Sequence, residues 1–184
     1  MAVRDLTSLL ADRSLTWPQR LTRLQGWRGH DAACADAAPL AQRIGPAVCA
    51  LGAGLGAVLE SPAVLAVFAT TALIGAVAPN HPFEAVYNRW AEPRGRRRLP
   101  PNRAAKRLGC AIGVAFLGGA AVAYAIGAAT AGLVLTLVLG VTAAFVAITG
   151  ICIPSMIFTV ARGVERATAA SLIGARPRTG VGQP

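Results

Sequence analysis

Charge is missing where this chain is most apolar. Four apolar runs, Ile44–Leu59, Pro62–Ala78, Leu108–Ala129 and Ala131–Ile153, contain no Asp, Glu, Lys, Arg or His. Ion pathways, proton relays and coupled transporters mark themselves with ionisable groups at membrane depth, so the runs argue against a pump or an ion-coupled carrier. The paired broken helices of inverted-repeat transporters are missing too. Acidic residues number 8 and histidines 2, His30 and His81, both outside the runs. A nucleophile, a general base and an orienting group do not assemble from that inventory, and the expectation is a protein that is not an enzyme. The four cysteines, Cys34, Cys49, Cys110 and Cys152, lack metal-ligand spacing, so neither a metal nor a cofactor is expected. Met1–Arg13 has no uninterrupted apolar core or small-residue cleavage site. No signal peptide is read there, and the first run is expected to act as its own insertion signal.

What is present is segregated. Hydrophobic residues make up 54% of the 184 and charged residues 14%, with a mean hydropathy of +0.53. The segment before the first run, the central loop and the tail hold 6, 8 and 4 basic residues, all 18 in the chain, while the turns at Glu60–Ser61 and around Thr130 hold none. Cytoplasmic loops collect Lys and Arg. The pattern predicts an all-α membrane protein: four transmembrane helices in two hairpins, both termini and the central loop cytoplasmic, in a bacterial inner membrane. The first two runs, of 16 and 17 residues, are shorter than the roughly 20 a bilayer core needs, and local thinning would have to absorb the difference. Residues 1–43 read as a cytoplasmic or interfacial extension, 44–160 as the four-helix membrane domain, and 161–184 as a polar tail. The net charge of +10 is then topology and attraction to anionic lipid headgroups, not nucleic-acid binding.

Two stretches outside the runs have helical patterning. Thr16-Trp17-Pro18-Gln19 has the form of a capping box, after which Trp17, Leu21 and Leu24 share a face, as in a helix lying on a membrane surface. In the central loop, Asn80 or His81 can cap a helix with Pro82 in its first turn. Phe83, Val86, Tyr87 and Trp90 follow at i, i+3, i+4 and i+7, an apolar stripe with aromatic tips suited to headgroup depth, with Glu84, Asn88 and Arg89 off the stripe. Arg94, Arg96, Arg97 and Arg98 come next. With Trp17, Phe83, Tyr87 and Trp90, these arginines are the candidate lipid- or partner-binding residues.

Within the runs, small residues in register point to close helix contacts. They are Gly52 and Gly56 beside Ala53 and Ala57, then Ala111, Ala115, Gly119, Ala123 and Gly127, then Thr136, Gly140, Ala144 and Ala147. Such faces serve the bundle itself or a homo-oligomer. Cys49, Cys110 and Cys152 lie toward the cytoplasmic ends of their runs in this topology, which makes them a possible thiol site. A buried free cysteine also behaves as a small hydrophobe, and packing alone accounts for all three.

Asn80-His81-Pro82-Phe83, Tyr87-Asn88, Leu99-Pro100-Pro101-Asn102 and Cys152-Ile153-Pro154-Ser155 together resemble a bacterial family of small integral membrane proteins known only as a domain of unknown function. The resemblance covers about residues 44 to 160. It implies a four-helix membrane module with an association to thiol or sulfur chemistry, since relatives carry Cys-x-x-Cys near the end of the last helix. Here Ser155 replaces the second cysteine, so a dithiol within that motif is not possible.

Three functions remain in contention. The first is a non-catalytic membrane protein acting by binding, as a scaffold, accessory subunit or assembly factor with a membrane-protein partner or a second copy of itself. The second is a thiol protein relaying sulfur or electrons through Cys152, with Cys110 or Cys49 as the resolving partner. The third is an oligomeric passive channel for a small neutral solute.

Overall fold

The computed structural model describes residues 13–25, 27, 32–33, 36, 40–96 and 98–172, with side chains up to 162. Cys34 and Arg97 lie outside the described residues, as does most of the linker before the first run. Among the described residues the chain is all helical: α1 Trp17–Leu24, α2 Ile44–Val58, α3 Pro62–Val77, α4 Pro82–Ala91, α5 Ala104–Ala125, α6 Ala129–Thr149 and α7 Ile153–Leu172, with single 3-10 turns at Ala41–Arg43 and Glu92–Arg94.

Each helix boundary has a local cause. Ser61 Oγ accepts from the Val64 N–H (3.4 Å) and Pro62 fills the first turn, so α3 starts directly after the turn that ends α2. Gly150 takes a left-handed conformation (φ 74°) and stops α6. The fourth run was expected to continue to Ile153. It ends at Thr149 instead, and a new helix, α7, begins at Ile153 and passes through the boundary expected at 160. Cys152 therefore sits in the break between helices rather than inside a span.

The packing is inside-out relative to a water-soluble domain. Small residues make the contacts: Gly52, Ala53 and Gly56 of α2, Ala72 and Gly75 of α3, Gly113, Ala120 and Ala121 of α5, and Gly132 and Ala143 of α6 are buried. Large apolar side chains point outward, with Leu51 71% and Val58 82% exposed alongside Val67, Val141 and Ile148. Lipid tails solvate such an exterior, and close backbone approach supplies the contacts that water would otherwise drive. A Cβ on Gly56 would run into the side chain of Leu65, which is itself fully buried. Along α5 the expected small-residue stripe turns outward at Ala111 and Ala115, and Gly127 is exposed in the turn beyond the helix, while Gly113, Leu117 and Ala120 face the core.

The most extensive contacts pair α3 with α5 and α2 with α6, and α5·α6 and α2·α3 close the ring of four. α5 and α6, of 22 and 21 residues, are long and apolar enough to cross a membrane. A third such crossing arises if α3 and Pro82–Arg94, bent by 68° at the Pro79–His81 break, count as one span. α2 has 15 residues and α3 alone 16.

Candidate functional site

One end of the bundle carries the polar groups that the middle lacks. There the C-terminal end of α3, the N-terminal turns of α4 and α5, and the α6–α7 break meet. His81, Glu84, Asn102 and Ser155 are all buried at this end.

The cluster builds outward from the Pro79–Pro82 break. Pro82 in the first turn of α4 leaves His81 as the cap, and the His81 backbone N–H donates to Glu84 Oε2 (3.2 Å), one half of a capping box. The imidazole is placed for the other half without completing it, and its Nδ1 is buried with no hydrogen-bond partner. Glu84 is only 2% exposed. Its second oxygen receives Lys106 Nζ from the first turn of α5, a paired charge at a site where an unpaired carboxylate would be prohibitive. Asn102 Nδ2 donates to the Gly75 carbonyl (3.0 Å), and its backbone N–H donates to the Pro79 carbonyl, stitching the start of α5 to the end of α3. Asn88 does the same for the loop, accepting from the Leu99 N–H (2.6 Å) and donating to the Leu99 carbonyl (3.2 Å).

Burial holds the His81 pKa below the ordinary histidine value; Glu84 opposes this and Lys106 adds to it. The ring is thus neutral near pH 7. It stacks on Phe83, 5.3 Å between centroids.

A cavity of about 390 Å³ opens beside this cluster, and Cys49, Cys110 and Cys152 all line it together with His81, Glu84 and Lys106. The three thiols arrive from α2, from α5 and from the α6–α7 break. All three are free. α5 is their common neighbour: a Cβ built on Gly109 would lie 4.0 Å from Cys152 Sγ, and one on Gly113 would lie 3.9 Å from Cys49 Sγ. Cys110 itself faces α3, its Sγ 3.1 Å from where a Gly75 Cβ would stand. Ser155 Oγ lies 3.1 Å from both the Ala105 carbonyl oxygen and Cys152 Sγ. The hydroxyl is the donor toward both, its one proton shared between the carbonyl oxygen and the sulfur.

The N-terminal extension covers this end. Gln25 Nε2 donates to the Gly150 carbonyl (2.8 Å), Arg43 Nη1 donates to the Ile148 carbonyl (2.9 Å), and Arg23 pairs with Asp36 (3.1 Å). Trp27 is buried, with Lys106 Nζ 5.9 Å from its ring centre.

The expected surface residues form a separate group. Trp17 is 60% exposed on α1. On α4, Trp90 is 41% exposed and carries two guanidinium groups, Arg94 at 4.8 Å and Arg96 at 4.9 Å from its ring centre. Tyr87 is half-buried at 5.9 Å from Trp90, and Phe83 lies inward against His81. Arg98 pairs with Glu92. The structure thus brings the cysteines together, gathers Tyr87, Trp90, Arg94 and Arg96 on the outside, and leaves Trp17 apart.

Sequence reasoning missed His81, which it read only as a possible helix cap, and Glu84, Asn102, Lys106 and Ser155 as site residues. A signal for two of them existed: Glu84 stands three residues after a potential cap, and Lys106 is the only lysine among 18 basic residues.

A family model for a domain of unknown function, DUF4395, matches residues 39–162. The chain belongs to the DUF4395 family. The DUF4395 match takes in the whole polar cluster and the three cavity cysteines, and leaves α1 and Trp27 outside. No curated protein and no solved structure matches the chain.

Proposed function

We propose that this DUF4395 protein is a thiol carrier of a bacterial inner membrane, exchanging electrons with a disulfide-bearing partner at the cytoplasmic end of four spans. The observation that carries this reading is the convergence of Cys49, Cys110 and Cys152 on one cavity whose wall also holds a buried neutral imidazole. Among the described residues His81 is the one buried histidine, and cysteines from three separate elements line its cavity. In the exchange two thiols become one disulfide, and the partner's disulfide becomes two thiols by accepting the two electrons and two protons. The carrier is reset by the reverse exchange with a second partner, so it is a relay and not an enzyme with its own substrate turnover.

The four-span topology follows from the alternation of basic and non-basic connections. Reporter fusions at Pro184 and within Arg94–Arg98 are expected to read cytoplasmic. The thiol reading is tested by mild oxidation of the protein in membranes followed by mass analysis. A reversible intramolecular disulfide among Cys49, Cys110 and Cys152 is expected, and its absence at every oxidant strength would remove the reading.

A second reading, binding of anionic headgroups or a membrane partner at the cytoplasmic face, is favoured by the two guanidinium groups held on exposed Trp90. Trp90→Glu replaces a ring suited to headgroup depth with a carboxylate and is expected to raise protease access to the central loop while the spans stay inserted. Unchanged access would mean that α4 is held by protein contacts alone.

A further inference from the structure

We infer that the disulfide with which these thiols exchange is a small molecule, because the N-terminal extension roofs their cavity; this inference rests on the thiol-carrier reading. The roof is one piece of chain. Gln19 closes the capping box that starts α1 by accepting from the Thr16 N–H (2.9 Å), and past the helix the Trp27 N–H donates to the Thr22 carbonyl (3.2 Å), so Trp27 follows α1 as a continuation of its last turn. Thr16, Gln19, Leu21, Gln25 and Trp27 line the cavity from the extension, and Cys49, Cys110 and Cys152 line it from the bundle. The roof lies outside the family match at 39–162, whereas the three cysteines lie inside it.

Size decides what can enter. The cavity of about 390 Å³ stands near the lower end of the roughly 300–1,000 Å³ that ligand pockets span, which is room for a small ligand. A folded partner has to lay a face of about 800 Å² around the thiols instead. That place is taken by α1 and Trp27. The three cysteines are half-buried rather than sealed, so each keeps accessible surface for a small reagent although the roof is seated. The seat itself has few anchors. Gln25 Nε2 donates to the Gly150 carbonyl at the end of α6 (2.8 Å), and Leu24 and Trp27 are buried, while Trp17 at the start of the helix is exposed. An eight-residue helix does not persist alone in water, so loosening these anchors unseats α1 as a whole.

The test uses the full-length protein with Cys34→Ser, so that only the cavity sulfurs are counted, in membrane fragments open on both faces. Two probes carry the same reactive group: 4,4′-dithiodipyridine itself, and the same pyridyl disulfide attached to one surface cysteine of a small folded protein. Each rate is divided by that probe's rate with glutathione. So corrected, the small probe is expected to react about tenfold or more faster than the protein-borne one, as when only an unseated minority admits the larger probe. Leu24→Asp combined with Gln25→Ala puts a charge at a buried position and removes the Gly150 anchor; it should raise the protein-borne rate about tenfold and the small-probe rate by less than about twofold. Gln25→Ala alone, which leaves the buried residues intact, should move the protein-borne rate the same way by a smaller factor. Equal corrected rates for the two probes in the parent protein, a protein-borne rate that neither variant raises, or an equal rise for both probes overturns the small-molecule assignment and leaves the thiol carrier standing. No reaction with either probe, in the parent or the variants, overturns both.

Discussion

The middle of the bundle and its polar end, where α4 and the start of α7 join the ring, are built by opposite rules. In the middle, contacts are made by Gly52, Gly56, Ala120 and their neighbours, and the only large side chains fully enclosed are apolar or, like Thr136, bonded to their own helix. At the end, Glu84, Asn102 and Ser155 are as deeply buried, and each is held by a partner from a different element. The middle tolerates what it can repack, because its bonds are non-directional. The end tolerates little, because each buried polar group there depends on one named partner.

The largest effect should come from breaking the end. Lys106→Met strands the Glu84 carboxylate, and about 3–5 kcal/mol of stability should be lost, read as a lower unfolding midpoint in detergent. The double variant Lys106→Met with Glu84→Gln should recover much of that loss, since no charge is then left unpaired. A loss as large in the double variant would mean that the pair contributes shape rather than charge.

Breaking the middle should cost less per site. Leu65→Ala removes a fully buried side chain where α2 and α3 touch, and a loss of about 2–4 kcal/mol is expected. Asn102→Ala should follow at about 1–3 kcal/mol, the penalty for leaving the Gly75 carbonyl buried and unpaired.

His81 should make the end sensitive to acid in a way the middle is not. Its pKa in the folded protein is lowered, so the unfolded chain binds the proton more readily below the ordinary histidine value near 6.5. The contribution of the neutral ring is complete above that value and is lost as pH falls through the folded one. The unfolding midpoint should therefore drop as pH falls below about 6.5, and His81→Gln should flatten that part of the curve. The smallest effect belongs to the exterior: Val141→Ala, on the outward face of α6, should change stability by less than about 0.5 kcal/mol.

The fold was more legible than the site. Apolar run lengths and Ser61, Pro62 and Pro82 located α2 to α6 to within a few residues, because a helix cap acts through its nearest neighbours. The end of α6 was misplaced because Gly150 stops it while the apolar composition continues to Ile153. On α4 the stripe of Phe83, Tyr87 and Trp90 could be read, but only Trp90 of the three is exposed, and Glu84, off the stripe, is buried more deeply than any of them. A lone Glu beside an aromatic stripe reads as solvated until a lysine 22 residues away is found against it.

By itself the sequence determined that the chain is helical, that its runs are apolar on all sides, and that its charge lies in alternate connections. Those are properties of composition and spacing, carried by each segment alone. The tertiary structure decided that Glu84 meets Lys106, that Asn102 caps the Gly75 carbonyl, and that three cysteines from separate elements share a cavity with His81. Burial and partnership depend on which helix faces meet, and small residues such as Gly75 and Gly113 mark where backbones can approach without showing which side chain fills the space.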